Sequence, residues 1–148
     1  MAISNQQRIL RDLPTLARQG YSVTSPCSAK YNCIAWAAHD QERWWQPVGG
    51  MDEDYYWPEG VRADLSVAAF VEAFESLGFE PCNDTALESG MEKVAIIAGS
   101  DGRPRHVARQ LADGTWTSKL GPYEDVVHAL DACGDYGSVA AVLRHSRS

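Results

Sequence analysis

Apolar residues recur along this chain in two rhythms. Over residues 64–77, Val67, Phe70, Val71, Phe74 and Leu77 fall three and four apart, which is the spacing of one helical face, and Gly78 supplies a stop. A second helix is expected over 4–19, with Ser4 as cap, Ile9, Leu10, Leu13 and Leu16 on one side, and Pro14 dividing it. A third, short and apolar, is expected from Cys33 to Ala38 behind Asn32. The second rhythm is that of strands. Lys93–Ala98 reads as a buried strand, Arg105–Leu111 and Thr115–Lys119 as a hairpin turning on Asp113-Gly114, and Ser138–Leu143 as a closing strand. A two-residue turn puts 112 opposite 115, and therefore Ser118 opposite residue 109. Pro122 is expected to open a helix over Tyr123–Ala132, with Val126, Val127 and Leu130 inward. Residues 20–30 read as loop. Helices precede an antiparallel meander, so the pattern predicts an α+β fold, one domain over 1–148.

Residues 40–63 interrupt both rhythms. Trp44, Trp45, Tyr55, Tyr56 and Trp57 stand there among Pro, Gly and the acids Asp52, Glu53 and Asp54. So many rings in one loop suggest a lid on the core, or a substrate-lining flap formed by Trp44, Trp45 and Trp57.

Composition narrows the function. The chain has 148 residues and a net charge of −7, with no basic stripe, which argues against nucleic acid as a partner. No apolar run reaches the roughly 18 residues of a membrane helix, and the first residues lack the layout of a signal peptide. The expectation is a cytoplasmic protein, or one exported by a signal-independent route, with no membrane partner. The four cysteines, 27, 33, 82 and 133, form no Cys-x-x-Cys, so neither a metal nor disulfides are expected. Gly99-Ser100-Asp101-Gly102 lacks the Lys-Ser/Thr ending of a phosphate loop. No cofactor is implied, and oligomeric state is not encoded in any feature of the pattern.

Two segments carry candidate chemistry: Tyr31-Asn32-Cys33-Ile34-Ala35-Trp36-Ala37, and Arg105-His106-Val107-Ala108-Arg109-Gln110-Leu111. A thiol is a strong nucleophile only as thiolate, and a nearby imidazole can take its proton. Cys33 stands at a helix start, where the backbone dipole favours thiolate and its own N–H can hold an oxyanion. His106 stands at the head of a rigid strand. His39, His128 and His145 compete with it, and His128 is the reserve.

At these residues the chain resembles papain-like cysteine peptidases, and most closely their compact bacterial branch, the NlpC/P60-like amidases. The resemblance implies a papain-like fold of helices on a small antiparallel sheet. It implies Cys33 as nucleophile, His106 as base and Ser118 in the orienting position, where that family prefers His, Asn or an acid. It also implies Tyr21 or Asn32 as oxyanion donors. A peptide, a peptidoglycan stem or a protein side chain would be the substrate. The phrases Tyr31–Ala37 and Trp116–Gly121 also resemble an uncharacterised bacterial family. The alternative is a non-catalytic peptide- or protein-binding module on the same scaffold.

Overall fold

A computed structural model describes residues 5–47, 55–121 and 123–147. Ser4, the acids 52–54 and Pro122 lie outside them. Pro14 splits the first helical stretch into α1 (Asn5–Asp12) and α2 (Pro14–Gln19). Proline lacks the N–H that a helix interior needs, and fits the first turn of a new helix instead. Next come β1 (Ser22–Ser25) and α3 (Cys33–Ala37), which Asn32 caps by accepting from the Ala35 N–H. The helix anticipated around Phe70 is α4 (Val67–Glu75), capped by Ser66.

Three expectations are corrected, and one strand is added. Residues 20–30 are not all loop, because β1 extends the sheet at its edge. Residues 40–63 contain β2 (Trp44–Trp45) and β3 (Tyr55–Tyr56), a short parallel pair. A strand β4 (Glu80–Cys82) follows α4. Finally, Tyr123–Ala132 is not a helix: Asp125–His128 is a strand, followed by a 3-10 helix over Leu130–Asp135. The β-branched pair Val126-Val127 suits a strand, and backbone pairing on both sides overrides the helical spacing.

With β5 (Met91–Ala98), β6 (Pro104–Gln110), β7 (Trp116–Lys119), β8 (Asp125–His128) and β9 (Ser138–Ser146), the main sheet runs β1-β8-β7-β6-β5-β9-β4 and is antiparallel throughout. The protein is thus α+β. No helix among the described residues is long and apolar enough to cross a membrane.

Strand alternation divides the core into two faces. On one, Val94, Ile96, Val107 and Leu143 pack under α3 and α4 with Ile34, Ala35, Phe70 and Phe74. On the other, Ala95, Ile97, Ala108 and Trp116 pack under the 3-10 helix with Cys133, while Leu120 and Val126 meet Ile9 and Leu16 of α1 and α2.

The β6–β7 hairpin turns differently from its expected form. Leu111 N–H donates to the Thr115 carbonyl at 2.7 Å, so the loop holds three residues, Ala112-Asp113-Gly114. Gly114 takes φ +92°, and the Asp113 carboxylate accepts from the Thr115 N–H. This is the bulged three-residue turn, which needs a left-handed residue at its last position. It sets Arg109 opposite Thr117 and brings Ser118 level with Ala108. A shift of one residue exchanges the two faces of a strand. Ser118 therefore shares the face of His106, where the two-residue turn would have set it on the other.

Candidate functional site

His106 is buried beneath the 3-10 helix, 1% exposed, with its ring stacked flat on Tyr136 at 4.1 Å between centroids. Its Nε2 lies 2.8 Å from Ser118 Oγ, and Ser118 Oγ lies 2.7 Å from His128 Nε2. His128 Nδ1 lies 2.6 Å from the Ala129 carbonyl oxygen. The Cys133 sulfur completes the group, 3.9 Å from Ser118 Oγ and 3.8 Å from His128 Nε2. Three adjacent strands supply this row, because residues 106, 118 and 128 point to one face. Burial, and then the neighbouring His128, push His106 down to about 3. Burial also lowers His128, and it pushes the Cys133 thiol up to about 12. Near neutral pH the row is uncharged.

Cys33 approaches from the other face, at the first position of α3. The β6–β7 ladder pairs only Arg109 with Thr117 and Gln110 with Trp116, so the strands part towards His106. α3 packs over β6 and β7 there, and the Val107 backbone N–H favours the Cys33 thiolate. Burial outweighs the Val107 N–H and raises the Cys33 pKa, so the resting group is a thiol. No hydrogen bond joins Cys33 to His106. Instead the His106–Ser118 bond spans the same opening from the opposite face.

Around Cys33 the polar groups are charged. Lys119 is buried with its Nζ 4.7 Å from the Tyr31 ring centroid and 2.7 Å from the Ser28 carbonyl, and it also donates to the Gly121 carbonyl. Burial lowers its pKa, while Asp125, Cys27 and Cys33 act in the other direction. Asp125 is buried, accepting from Tyr31 Oη at 2.7 Å and from Thr24 Oγ1.

The expected site residues separate into those the fold brings together and those it does not. His106 and Ser118 meet. Cys33 reaches the opening they span. The Asn32 side chain is committed elsewhere: Nδ2 donates to the Trp45 carbonyl at 2.7 Å, and Oδ1 accepts from Ala35 and Trp45. It is a cap and a tether, not a free oxyanion donor. Tyr21 packs with Ile9, Leu16, Leu120 and Val126 on the face away from α3, so it does not attend Cys33. Tyr31 is the tyrosine beside the Lys119 that faces the sulfur. Trp45 is a core residue, 3% exposed, with its indole N–H on Asp40 at 2.9 Å. Trp57 packs on Phe70 and donates to the Arg62 carbonyl, and Trp44 is half-buried with its N–H towards Gln46 at 3.4 Å. The rings act chiefly as the expected lid. His39 pairs with Glu92 at 2.8 Å and His145 packs on Phe79, so neither enters the row. Among the described residues no group of three or more His, Cys, Asp or Glu is placed to hold a metal.

Two participants escaped the sequence reading, Lys119 and Asp125, while His128, the reserve for His106, enters the row beside Ser118. Their signal was a period of two. Trp116–Lys119 and Asp125–His128 alternate in the same way, which as paired strands sends 118 and 128 to one face and 119 and 125 to the other.

Fold and site together define an α+β protein with a cysteine at a helix start, facing an opening in its sheet that a buried histidine and serine bridge. The chain belongs to the family described as a domain of unknown function (DUF7689), which matches residues 22–144 and so includes every residue of this site. No curated protein and no solved structure matches it.

Proposed function

We propose that the protein is a cysteine hydrolase of papain-like type, closest to the NlpC/P60-like amidases, acting on an amide bond. The observation that carries this is the placing of Cys33 at the start of α3, which packs over β6 and β7, where the Val107 N–H and Lys119 favour its thiolate, while His106 is held on Ser118 across the same two strands. The sulfur attacks the amide carbonyl carbon, and His106 takes the thiol proton. Collapse of the tetrahedral species expels the amine, which leaves with that proton. Water then cleaves the thioester, releasing the acid and restoring the thiol. Lys119 and the Val107 N–H favour the sulfur's negative charge as it develops. The Cys33 N–H, at the start of α3, is the main-chain donor for the oxyanion. Substrates fitting this chemistry are a peptide, a peptidoglycan stem or a protein side chain, met in the cytoplasm or after signal-independent export.

A resting thiol and a neutral imidazole mean that proton transfer accompanies attack. Simple alkylators therefore probe Cys33 poorly, and a peptidyl vinyl sulfone, which presents an amide with its electrophile, is the suitable reagent. Peptide mapping after reaction at pH 7 should find the adduct on Cys33, and Cys33→Ala or His106→Gln should abolish it without loss of the folded circular dichroism spectrum. The alternative, a non-catalytic binding module, rests on one observation: the His106 Nε2 is engaged by Ser118. Adducts confined to the exposed Cys27, with Cys33 untouched, would establish that alternative and end the hydrolase reading.

A further inference from the structure

The main sheet has two edges, and they are finished differently. An edge strand offers a row of unpaired backbone N–H and C=O groups, which charges and prolines ordinarily guard. At β4 that guard is present: Pro81 stands in the strand, and Glu80 pairs with Arg144 at 2.8 Å. At β1 it is missing. Ser22-Val23-Thr24-Ser25 holds no charge and no proline, and Val23 is 49% exposed. Val23 pairs with Val126, so its side chain lies on the face of α1 and α2, while the Thr24 hydroxyl turns to Asp125 on the other. A cavity of about 500 Å³ opens beside this edge, lined by Ile9, Ala17, Gly20, Tyr21, Val23 and Glu124. Its walls are apolar but for the Tyr21 hydroxyl and one carboxylate. Glu124 Oε1 is buried there with no hydrogen-bond partner among the described residues. A carboxylate oxygen withdrawn from water without a donor is costly, so a cation suits this cavity.

We propose that β1 and this cavity form a docking site for an extended basic peptide segment of a partner protein. The segment adds to β1 as a strand, and one lysine or arginine side chain enters the cavity. Its methylenes lie on Ile9, Ala17 and Val23, and its charged end meets Glu124. Main-chain pairing supplies the affinity, and the filled cavity supplies the choice of sequence. A bulge between Val23 and Ser25 interrupts the pairing with β8, so the added strand runs along residues 21–23, of which Tyr21 and Val23 line the cavity. A second copy of this chain would offer Ser22–Ser25 itself, which has no basic residue to meet Glu124. The net charge of −7 draws a basic segment from a distance. The cavity and α3 lie on opposite faces of the sheet, so this site works whether or not Cys33 is a nucleophile.

Fluorescence anisotropy of the full chain at pH 7 tests the site. The probe is a fluorescein-labelled peptide of serine and threonine with one central lysine between two valines. It should bind saturably, and norleucine in place of the lysine, which keeps the stem and removes the charge, should weaken it about 10- to 100-fold. Glu124→Gln should weaken the lysine peptide to the same degree and leave the norleucine peptide unaffected, since both changes remove one contact. Methylating the backbone nitrogens along one edge of the peptide should abolish binding, and methylating those along the other should spare it, because only one edge of an added strand pairs with β1. The peptide arms use the unaltered protein, so they decide even if Glu124→Gln fails to fold. Equal affinity for the lysine and norleucine peptides, or equal loss from either methylation, overturns the proposal. So does a lysine peptide that fails to bind at millimolar concentration. A concentration-dependent dimer in sedimentation, lost in Val23→Lys and indifferent to the peptide, would assign the edge to a second copy and overturn it too.

Discussion

The two faces of the sheet beside the β6–β7 opening hold polar groups in opposite ways. On the α3 face, Lys119 and Asp125 are buried as charges, surrounded by carbonyls, hydroxyls and the Tyr31 ring. On the 3-10 face, His106, Ser118, His128 and Cys133 are buried as neutral groups joined end to end. Both arrangements satisfy the rule that a buried polar group needs a partner. They differ in what they can do. A buried charge creates a fixed field, and here that field lies on the side from which Cys33 enters. A neutral chain creates no field but holds a tautomer, and a base must be neutral to accept a proton. In the proposed hydrolase a thiol and its base would use these two environments, one on each face of β6 and β7.

The contrast can be broken most forcefully on the charged side. Lys119→Met removes the donor from the Ser28 and Gly121 carbonyls and the ammonium's field from Asp125, so it should destabilise by about 1–3 kcal/mol for each carbonyl left without its partner. The double variant Lys119→Met/Asp125→Leu should lose less than the sum of the single changes, with a coupling of about 1–3 kcal/mol in urea unfolding. Additive losses would show that the two charges do not sense each other.

The neutral side should answer to pH. Both imidazoles have pKa values depressed by burial, His106 to about 3. Between the ordinary value of 6.5 and that depressed value the unfolded chain binds protons that the fold refuses. Stability is therefore complete above about pH 6.5 and is lost as pH falls through the window below it. Each unit is worth about 1.4 kcal/mol, so the row accounts for several kcal/mol by pH 4. Carboxylates such as Glu92, held low by His39 and Arg147 against the cost of their burial, should act only below about pH 4.5. Unfolding free energies measured from pH 7.5 to 4.5 should slope downward in the intact protein and more gently in His128→Phe. An equal slope in both would mean that His128 does not belong to the neutral row.

Much of this arrangement was legible in the residues. Phe70, Phe74 and Val71 marked α4 because a helix repeats its buried face regardless of its partners. The apolar run Val94–Ala98 marked β5 for the same local reason. Cys33 and His106 stood out because few side chains do their chemistry. What failed was non-local. Val126, Val127 and Leu130 suit a helical face as well as a strand, and only pairing with β7 and β1 decides between them. The commitment of Asn32 to Trp45, and of Trp45 to the core, depends on where residues 40–46 fold back. Ser118 was placed one residue out of register, because Asp-Gly serves two kinds of turn and the difference is a single loop residue.

That single residue supports the smallest effect and ties the two faces together. Gly114 holds φ +92°, and a Cβ there would meet only Leu87 at 3.6 Å, an ordinary contact. Gly114→Ala thus costs backbone strain rather than space, about 1–2 kcal/mol. The three-residue turn is also fastened by Asp113, whose carboxylate accepts from both the Thr115 N–H and hydroxyl, and by the Leu111–Thr115 bond. The register should therefore survive the strain. Unfolding should show the modest loss while the His106 and His128 imidazole spectra remain unchanged. Altered imidazole spectra in a folded Gly114→Ala protein would mean that the strain had propagated into the row. A folded protein that had slipped by one residue would place Ser118 on the charged face, where it cannot reach either ring.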